Sequence, residues 1–323
     1  MQKGGKKLKD WDDERLLVKV AQMYYHNNMS QSEISKRLGI YRTTISRMLK
    51  RARENGIVTI HINSKYNYCY ELEDKLEKEF GLKECIVVPG STGERENGKR
   101  AVAKAGAEFL KRIVKDGDNV GFAWGSTLAY LSDELKNCKQ TSINVVPLVG
   151  GPGNIVSDYH VNTIISKVAK AFNCKAHYLY APAITEKKET KEAIINDSNF
   201  SSILKLWEKI NIAIVGIGSP AKSSNMIWMG FFENEDFTYL EKENVVGDIC
   251  SRFYDISGRL IDSDINDRTI AIELEELRYM EYSVGIAESL EKVPAILGAL
   301  RGRFINTLIT TEQTAKLLLD FNQ

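Results

Sequence analysis

Two groups of residues in this 323-residue sequence have side chains and spacings suited to charged partners. The first is Arg42, Thr43, Ser46, Arg47, Lys50 and Arg51, which share one helical face opposite Ile45, Met48, Leu49 and Ala52. Near the start of such a helix a guanidinium reaches base edges in the major groove, and cations further along meet phosphates. A solvated basic face on a three-helix bundle is the alternative. The second group is Gly121-Phe122-Ala123-Trp124-Gly125-Ser126-Thr127-Leu128, with a glycine and two hydroxyls at the start of a helix. Free amides and the positive end of the helix dipole suit a phosphate there. The plainer alternative is a Ser/Thr helix cap. Gly216-Ile217-Gly218-Ser219-Pro220 is a weaker version of the pattern, and Gly150-Gly151-Pro152-Gly153 reads as a turn.

Other chemistries find less support. Gly93-Glu94-Arg95-Glu96-Asn97-Gly98-Lys99 has the spacing of a nucleotide-binding P-loop, but Arg100 stands where a Ser/Thr must hold magnesium. Two glutamates also occupy phosphate positions, so that reading is rejected. The cysteines at 69, 85, 138, 174 and 250 form no C-x-x-C pair and have no matching histidine spacing. Neither a metal site nor a disulfide framework is signalled. No Ser/His/Asp array or acid/base pair stands out, and no cofactor is expected.

The elements that must position these groups follow from periodicity. Leu16, Leu17, Val20, Ala21 and Tyr24 predict a helix over 14–25. Ser30-Gln31-Ser32-Glu33 has the capping-box form, so a second helix starts at Gln31, buries Ile34 and Leu38 and stops at Gly39. A third runs from about Arg42 to Asn55, with Gly56 as its stop, and Ile57 to Ile62 alternates like a short strand. Tyr66 to Phe80 is a charged amphipathic helix, either a connector or dimer contact or a simply packed helix. Beyond it, apolar runs at Cys85–Pro89, Asn119–Ala123, Ile143–Leu148, Ala176–Tyr180, Ile212–Val215, Ser283–Ala287 and Ile305–Ile309 alternate with helical stretches. This predicts an α/β, Rossmann-like, mostly parallel sheet with ligands beyond the carboxyl ends of its strands.

Composition agrees with two folded domains: 43% hydrophobic and 27% charged residues with 6 prolines exclude a disordered chain. No apolar run reaches the roughly 20 residues of a membrane span, and the lysine-rich N-terminus lacks an apolar segment, which points to the cytoplasm. The net charge of +1 conceals an asymmetry. Residues 1–60 hold 13 Lys+Arg against 6 Asp+Glu, and the rest holds 31 against 37. A compact basic head on a mildly acidic body suggests a polyanion partner.

The run Met29 to Ile40, continued by Thr44 to Val58, resembles the DNA-binding domain of the SorC family of bacterial transcriptional regulators. One difference is Tyr41, where members often have a serine, which changes either the helix cap or one DNA contact. The body resembles that family's sugar-binding domain through Trp124-Gly125-Ser126-Thr127, Val146 to Gly151, Tyr178 to Ala183, Gly216 to Pro220, Gly247 to Asp255, and Ala299-Leu300-Arg301-Gly302 with Leu308-Ile309-Thr310. The likeness spans about residues 14 to 321. It implies an all-α helix-turn-helix domain over 1–62, a connecting helix over 63–82, and a sugar-phosphate-binding and oligomerisation domain over 83–323.

The resemblance also implies sites. DNA contacts fall on Gln31, Ser32, Tyr41, Arg42, Thr43, Thr44, Ser46, Arg47, Lys50 and Arg51. The effector's phosphate falls on Gly125, Ser126 and Thr127, a further contact near His160, hydroxyl binding on Asp248, and a second anionic end on Lys292. Alternatives stay open: Asp248 as a turn cap, His160 as a helix-start residue, Lys292 as a solvated charge. Val149 stands where some members carry a basic residue, which disfavours a bisphosphate or a covalent imine. Glu288-Ser289 replaces a glycine pair, which works against close backbone approach to a phosphate. The expected function is a regulator of a carbohydrate operon, not an enzyme, binding operator DNA and a small phosphorylated sugar as a homo-oligomer, dimer or tetramer. A phosphosugar isomerase or deaminase, and a regulator whose body is mainly an oligomerisation scaffold, are the competing readings.

Overall fold

A computed structural model of the chain describes residues 13–60, 67–90, 95–152, 157–219, 240 and 242–321. Its contacts divide it into two compact units, Met1–Lys65 and Tyr66–Gln323.

In the smaller unit helix α1 covers residues 13–21 and widens into a π-turn over Gln22–His26. The wider turn brings Met23 into the core and leaves Tyr24 half-buried, where helical periodicity alone places Tyr24 inward. Helix α2, Gln31–Leu38, opens on the full capping box: Glu33 N–H donates to Ser30 Oγ at 3.3 Å, and Ser30 N–H donates to the Glu33 carboxylate at 2.8 Å. It closes at Gly39, whose φ of 66° is the left-handed conformation that the tight turn requires. Helix α3, Arg42–Glu54, follows. Val20, Met23, Ile34, Ile45 and Leu49 form one core that fixes the three helices together. The strand expected from Ile57 does not form through Ile60, and 61 and 62 lie outside the described residues. Among the described residues of this unit no strand is present to pair with it, and Ile60 is exposed.

The larger unit is a seven-stranded, wholly parallel sheet flanked by helices. In chain order its strands are β1 (Glu84–Val88), β2 (Asn119–Phe122), β3 (Asn144–Pro147), β4 (Lys175–Ala176), β5 (Ile212–Gly216), β8 (Tyr282–Ile286) and β9 (Thr307–Thr311). A separate antiparallel hairpin, β6 (Val245–Ile249) and β7 (Arg252–Asp255), lies between β5 and β8 in sequence. The spatial order β1-β9-β8-β5-β2-β3-β4 means that the chain runs outward from β2 to β4 and then returns to the other side of β2. Strand residues such as Val145, Val146, Ala213, Ile214 and Val215 are all buried, as required of a sheet covered on both faces.

Two expected strands differ. The run Ala176–Tyr180 pairs only through Lys175–Ala176, with a last bond from His177 N–H to Val145 O. Leu179 is drawn instead into a satellite cluster with Phe200 and Ile270, and Asn162 holds its backbone by two hydrogen bonds. The last strand begins at Thr307 rather than Ile305, because pairing of Glu84 with Thr307 sets its start. The hairpin was not anticipated. Its turn residues Cys250 and Ser251 sit at φ 53° and 63°, a two-residue turn normally signalled by Asn-Gly or Asp-Gly.

Helix α4, Asn67–Phe80, packs within the larger unit, and Leu72 and Leu76 on its apolar face are buried, as a packed helix has them. Tyr66, the first residue expected in it, lies outside the described residues. The helix also protects an edge. Among the described residues strand β1 pairs on one side only, and its outward N–H groups at Cys85 and Val87 donate to Glu77 and Glu73 of α4, each at 2.8 Å. Carboxylates thus satisfy donors that would otherwise template another strand. Replacing Glu73 or Glu77 by Ala is expected to destabilise the chain by about 1 kcal/mol each, since a half-buried strand amide loses its partner. Denaturant unfolding of each variant checks this, and midpoints equal to wild type would show that water replaces the carboxylate without cost.

Candidate functional site

Most of the residues expected to contact DNA in the smaller unit are open to solvent. Ser32, Tyr41, Arg42, Thr43, Ser46, Arg47, Lys50 and Arg51 are exposed, whereas Gln31 and Thr44 are half-buried. The opposite side of α3 is buried through Ile45, Leu49 and Ala52, so packing aims the polar face outward. No acidic residue stands in the first turn of α3, which leaves the positive end of the helix dipole unopposed by side chains there. Tyr41 is the N-cap but makes no side-chain cap bond, and at 84% exposure its ring is open to a partner. Arg47 bonds Thr44 Oγ1 at 3.5 Å, and Lys50 pairs with Glu54 at 3.7 Å, both weak, exposed contacts.

In the larger unit an open cavity of about 920 Å³, mouth included, lies beyond the carboxyl ends of β2, β5 and β8. Because β3 and β5 flank β2 on opposite sides, the chain departs from β2 and β5 in opposite directions and leaves a crevice at that end of the sheet. Five of the six effector residues expected from sequence line it: Gly125, Ser126, Thr127, Asp248 and Lys292. Helix α6 runs Ser126–Glu134, and its N-cap is Gly125, which has no side chain to cap the first-turn amides. Gly125 adopts φ 129°, a conformation reserved in practice for glycine. Ser126 and Thr127 therefore sit inside the first turn rather than ahead of it, and they are not its N-cap.

Asp248 reaches the cavity from the hairpin. The hairpin joins the end of β5 through reciprocal backbone bonds between Gly218 and Asp248, of 2.9 and 3.3 Å. A Cβ at Gly218 would stand 1.8 Å from Asp248 Oδ1, so glycine is needed there for close approach. Burial lifts the Asp248 carboxyl to about 6, opposed by the nearby Lys292 ammonium and the Ser251 backbone N–H. Lys292 donates to Ile217 O at 2.8 Å, placing its charge at the end of β5.

His160 lies apart from this cavity. It is the N-cap of helix α7, Val161–Phe172, where Nδ1 accepts the Asn162 N–H at 3.1 Å and the ring packs on Gly151. Burial holds its pKa below the usual histidine value, which keeps Nδ1 available as an acceptor. Val149 is fully buried, bridged to Ala271, and contributes nothing to the cavity wall. Gly153 lies outside the described residues, as do Gly93, Glu94 and Pro220.

Sequence reasoning missed several wall residues. Glu288 and Ser251 are nearly buried yet line the cavity, with Glu291 and Lys99, beside Trp124 and Ser219 from the two glycine loops singled out in the sequence. Ser251 comes from the unanticipated hairpin turn, and Lys99 from the segment rejected as a P-loop. That segment is helical from Arg95 onward, in helix α5, Arg95–Ile113, so Gly98 and Lys99 form no phosphate loop. Ser289 occupies φ 105°, a glycine-like conformation, in line with the glycine pair implied there by resemblance. The wall thus offers hydroxyl, amide and ammonium donors near α6 and carboxylate acceptors from Asp248, Glu288 and Glu291, a set that binds a polyhydroxy molecule with an anionic group.

Comparison with known proteins agrees with both units. A sugar-binding domain family model matches residues 64–320, and a winged helix-turn-helix DNA-binding model matches residues 23–59. The sorbitol operon regulator of Klebsiella pneumoniae is 43% identical over 310 residues, covering 95% of this chain and 98% of that protein. The deoxyribonucleoside regulator of Bacillus subtilis is 34% identical over 315 residues, covering 96% of this chain and 99% of that one. The crystal structure of the full-length Klebsiella regulator superposes with a TM-score of 0.76, covering 95% of this chain and 99% of that one. These relatives are named as regulators, not as enzymes. With a helix-turn-helix unit, a matching sugar-binding domain and relatives aligned over nearly their whole length, the chain belongs to the SorC family of transcriptional regulators.

Proposed function

We propose that this regulator controls a carbohydrate operon, and that a small phosphorylated sugar or sugar alcohol in the cavity sets its affinity for operator DNA. The observation that carries the effector reading is the α6 N-terminus: a glycine N-cap leaves the first-turn amides of Ser126 and Thr127 open to the cavity, facing the carboxylate-bearing hairpin. A phosphate fits the first, and hydroxyls fit Asp248. The names of the relatives, a sorbitol operon regulator and a deoxyribonucleoside regulator, support a sugar-derived ligand. Lys292, tied to Ile217 O beside Asp248, serves the far end of the ligand. Val149 supplies no cation, which favours a monophosphate over a bisphosphate. His160 caps α7 and does not line the cavity, so no ligand contact is assigned to it.

On the DNA side, Arg42, Thr43 and Arg47 read bases, while Lys50 and Arg51 meet phosphates, with Gln31, Ser32, Tyr41, Thr44 and Ser46 completing the contact surface. One short recognition helix reads few base pairs, so the protein acts as a homo-oligomer, dimer or tetramer, in the cytoplasm, with heads on half-sites about one helical turn apart. The helix-turn-helix unit spans 1–62, and the segment 63–82 connects it to the effector and oligomerisation unit, against whose core its helix α4 packs.

Three outcomes test this. Arg47→Ala is expected to cost about 1 to 3 kcal/mol at the specific operator and to relax base choice, whereas Lys50→Ala weakens all sequences alike. Electrophoretic mobility titrations on specific and scrambled duplexes decide it, and equal operator affinity in Arg47→Ala refutes the assignment. Thr127→Val keeps the shape but removes a donor, and should lower affinity for the effective sugar phosphate roughly 10- to 100-fold by calorimetry, as expected for a bond to a charged group. The third outcome is a pH dependence. The folded Asp248 holds its proton up to about 6, above its ordinary 3.8, so the folded state binds more protons in that window and stability falls as pH rises through it. Asp248→Asn removes this term, so its melting temperature relative to wild type should climb between about pH 4 and pH 7, by up to about 3 kcal/mol of stability. A difference that stays flat with pH would show that Asp248 is not held protonated.

A further inference from the structure

Lys99 lies in the segment that the sequence reading set aside, and it points to a specific recognition task. Its Nζ stands 3.5 Å from Ser126 Oγ, in the first turn of α6, and its side chain lines the cavity. Among the described residues Lys99 makes no ion pair. A half-buried ammonium therefore faces the positive end of a helix dipole across a hydroxyl, two like-signed ends in one wall. An anion placed between them is stabilised from both sides. Independent polar atoms point the same way. Ser251, 2% exposed, lines the same cavity, and its Oγ has no hydrogen-bond partner among the described residues; nor has the buried Nε1 of Trp124. Buried donors left without partners inside a cavity mark positions that a ligand completes.

We propose that Lys99 is the charge that makes the cavity select a phosphate dianion, by clamping it against the α6 first turn while Trp124 Nε1 and Ser251 Oγ supply neutral hydrogen bonds to the rest of the ligand. The proposal rests on the effector reading above and adds to it the source of the phosphate preference. The amides of α6 reward any anion, a carboxylate included, whereas the added ammonium rewards the second negative charge of a phosphate. Lys99 also ties α5 to α6 through the ligand, so occupation of the site bears directly on the packing of two helices.

The test compares wild type, Lys99→Met and Lys99→Arg as full-length proteins, by calorimetry with glucose 6-phosphate, sorbitol 6-phosphate and the two parent compounds, and by thermal shift with inorganic phosphate. Wild type is expected to bind a sugar phosphate far more tightly than its parent and to be stabilised by inorganic phosphate. Lys99→Met should lose roughly tenfold or more of the phosphate preference, keep its affinity for the parent compound, and lose the phosphate-induced rise in melting temperature. Without anion it should melt close to wild type, because Lys99 makes only a 3.5 Å contact with Ser126 Oγ, an outcome that a merely structural lysine would not give. Lys99→Arg should restore most of the preference. A Lys99→Met protein with undiminished phosphate preference beside a discriminating wild type overturns the role of Lys99 alone. A wild type that binds phosphorylated and free forms equally and gains nothing from inorganic phosphate overturns the effector reading, and the proposal with it.

Discussion

The side-by-side pairing of β2 with β5 is the constraint on which the body's chemistry depends. Val120 lies opposite Ile212 and Phe122 opposite Ile214, although 89 residues and two further strands separate the two segments in the chain. Because the chain goes out to β4 before it returns, the connections leaving β2 and β5 diverge, and the sheet's carboxyl end opens there. The N-terminus of α6, the end of β5 and the hairpin turn then face one space. The wall draws together segments far apart in sequence, around Lys99, Ser126, Ser219, Asp248 and Lys292, and it is that crossing which brings them side by side. The same parallel pairing buries both faces of the sheet, so its strands carry apolar side chains on each side and all polar function is pushed to loops and helix ends.

Within that space, charge is separated. Donors cluster where β2 turns into α6, and carboxylates enter from the hairpin and from the loop after β8. Asp248 shows the consequence of burial: water is replaced by Gly218, Lys292 and the Ser251 amide, and the carboxyl holds its proton more tightly than in solution. Lys292 donates to Ile217 O and acts on the nearby Asp248 carboxyl, and Lys99 donates to Ser126 Oγ. A ligand with an anionic head and a hydroxyl-rich tail satisfies both ends at once, and one of uniform polarity satisfies only one.

The smaller unit solves a simpler problem. Three short helices bury little area, and their termini must be closed chemically; the Ser30–Glu33 capping box and the Gly39 stop do so at both ends of α2. With α2 and α3 fixed through Ile34, Ile45 and Leu49, the face bearing Arg42, Arg47 and Arg51 has no room to turn inward. Tyr41 is an exception to the pattern of side-chain capping, since the start of α3 is held by the backbone bonds from Thr44 and Ile45 to Tyr41 O.

Local chemistry is what the amino-acid sequence determined by itself. The capping box, the Gly39 turn, the basic face of α3, five of the seven strands of the sheet and the glycine ahead of α6 are all decided within a few residues, by hydrogen bonds and periodicities that neighbours in the chain complete. Resemblance extended this to Asp248 and Lys292, which the structure places in the cavity with Gly125, Ser126 and Thr127. Only the tertiary structure decided the rest. Leu179 left its strand for a partner in a distant cluster, Ile57 found no strand among the described residues to pair with, and Cys250-Ser251 took a turn that their residue types do not announce. His160 stayed at a helix start, while Lys99, Ser251 and Glu288 entered the wall from three separate segments. Their positions depend on which strands lie side by side, a long-range pairing whose free energy comes from burial summed over the whole sheet, and no short window of sequence contains that sum.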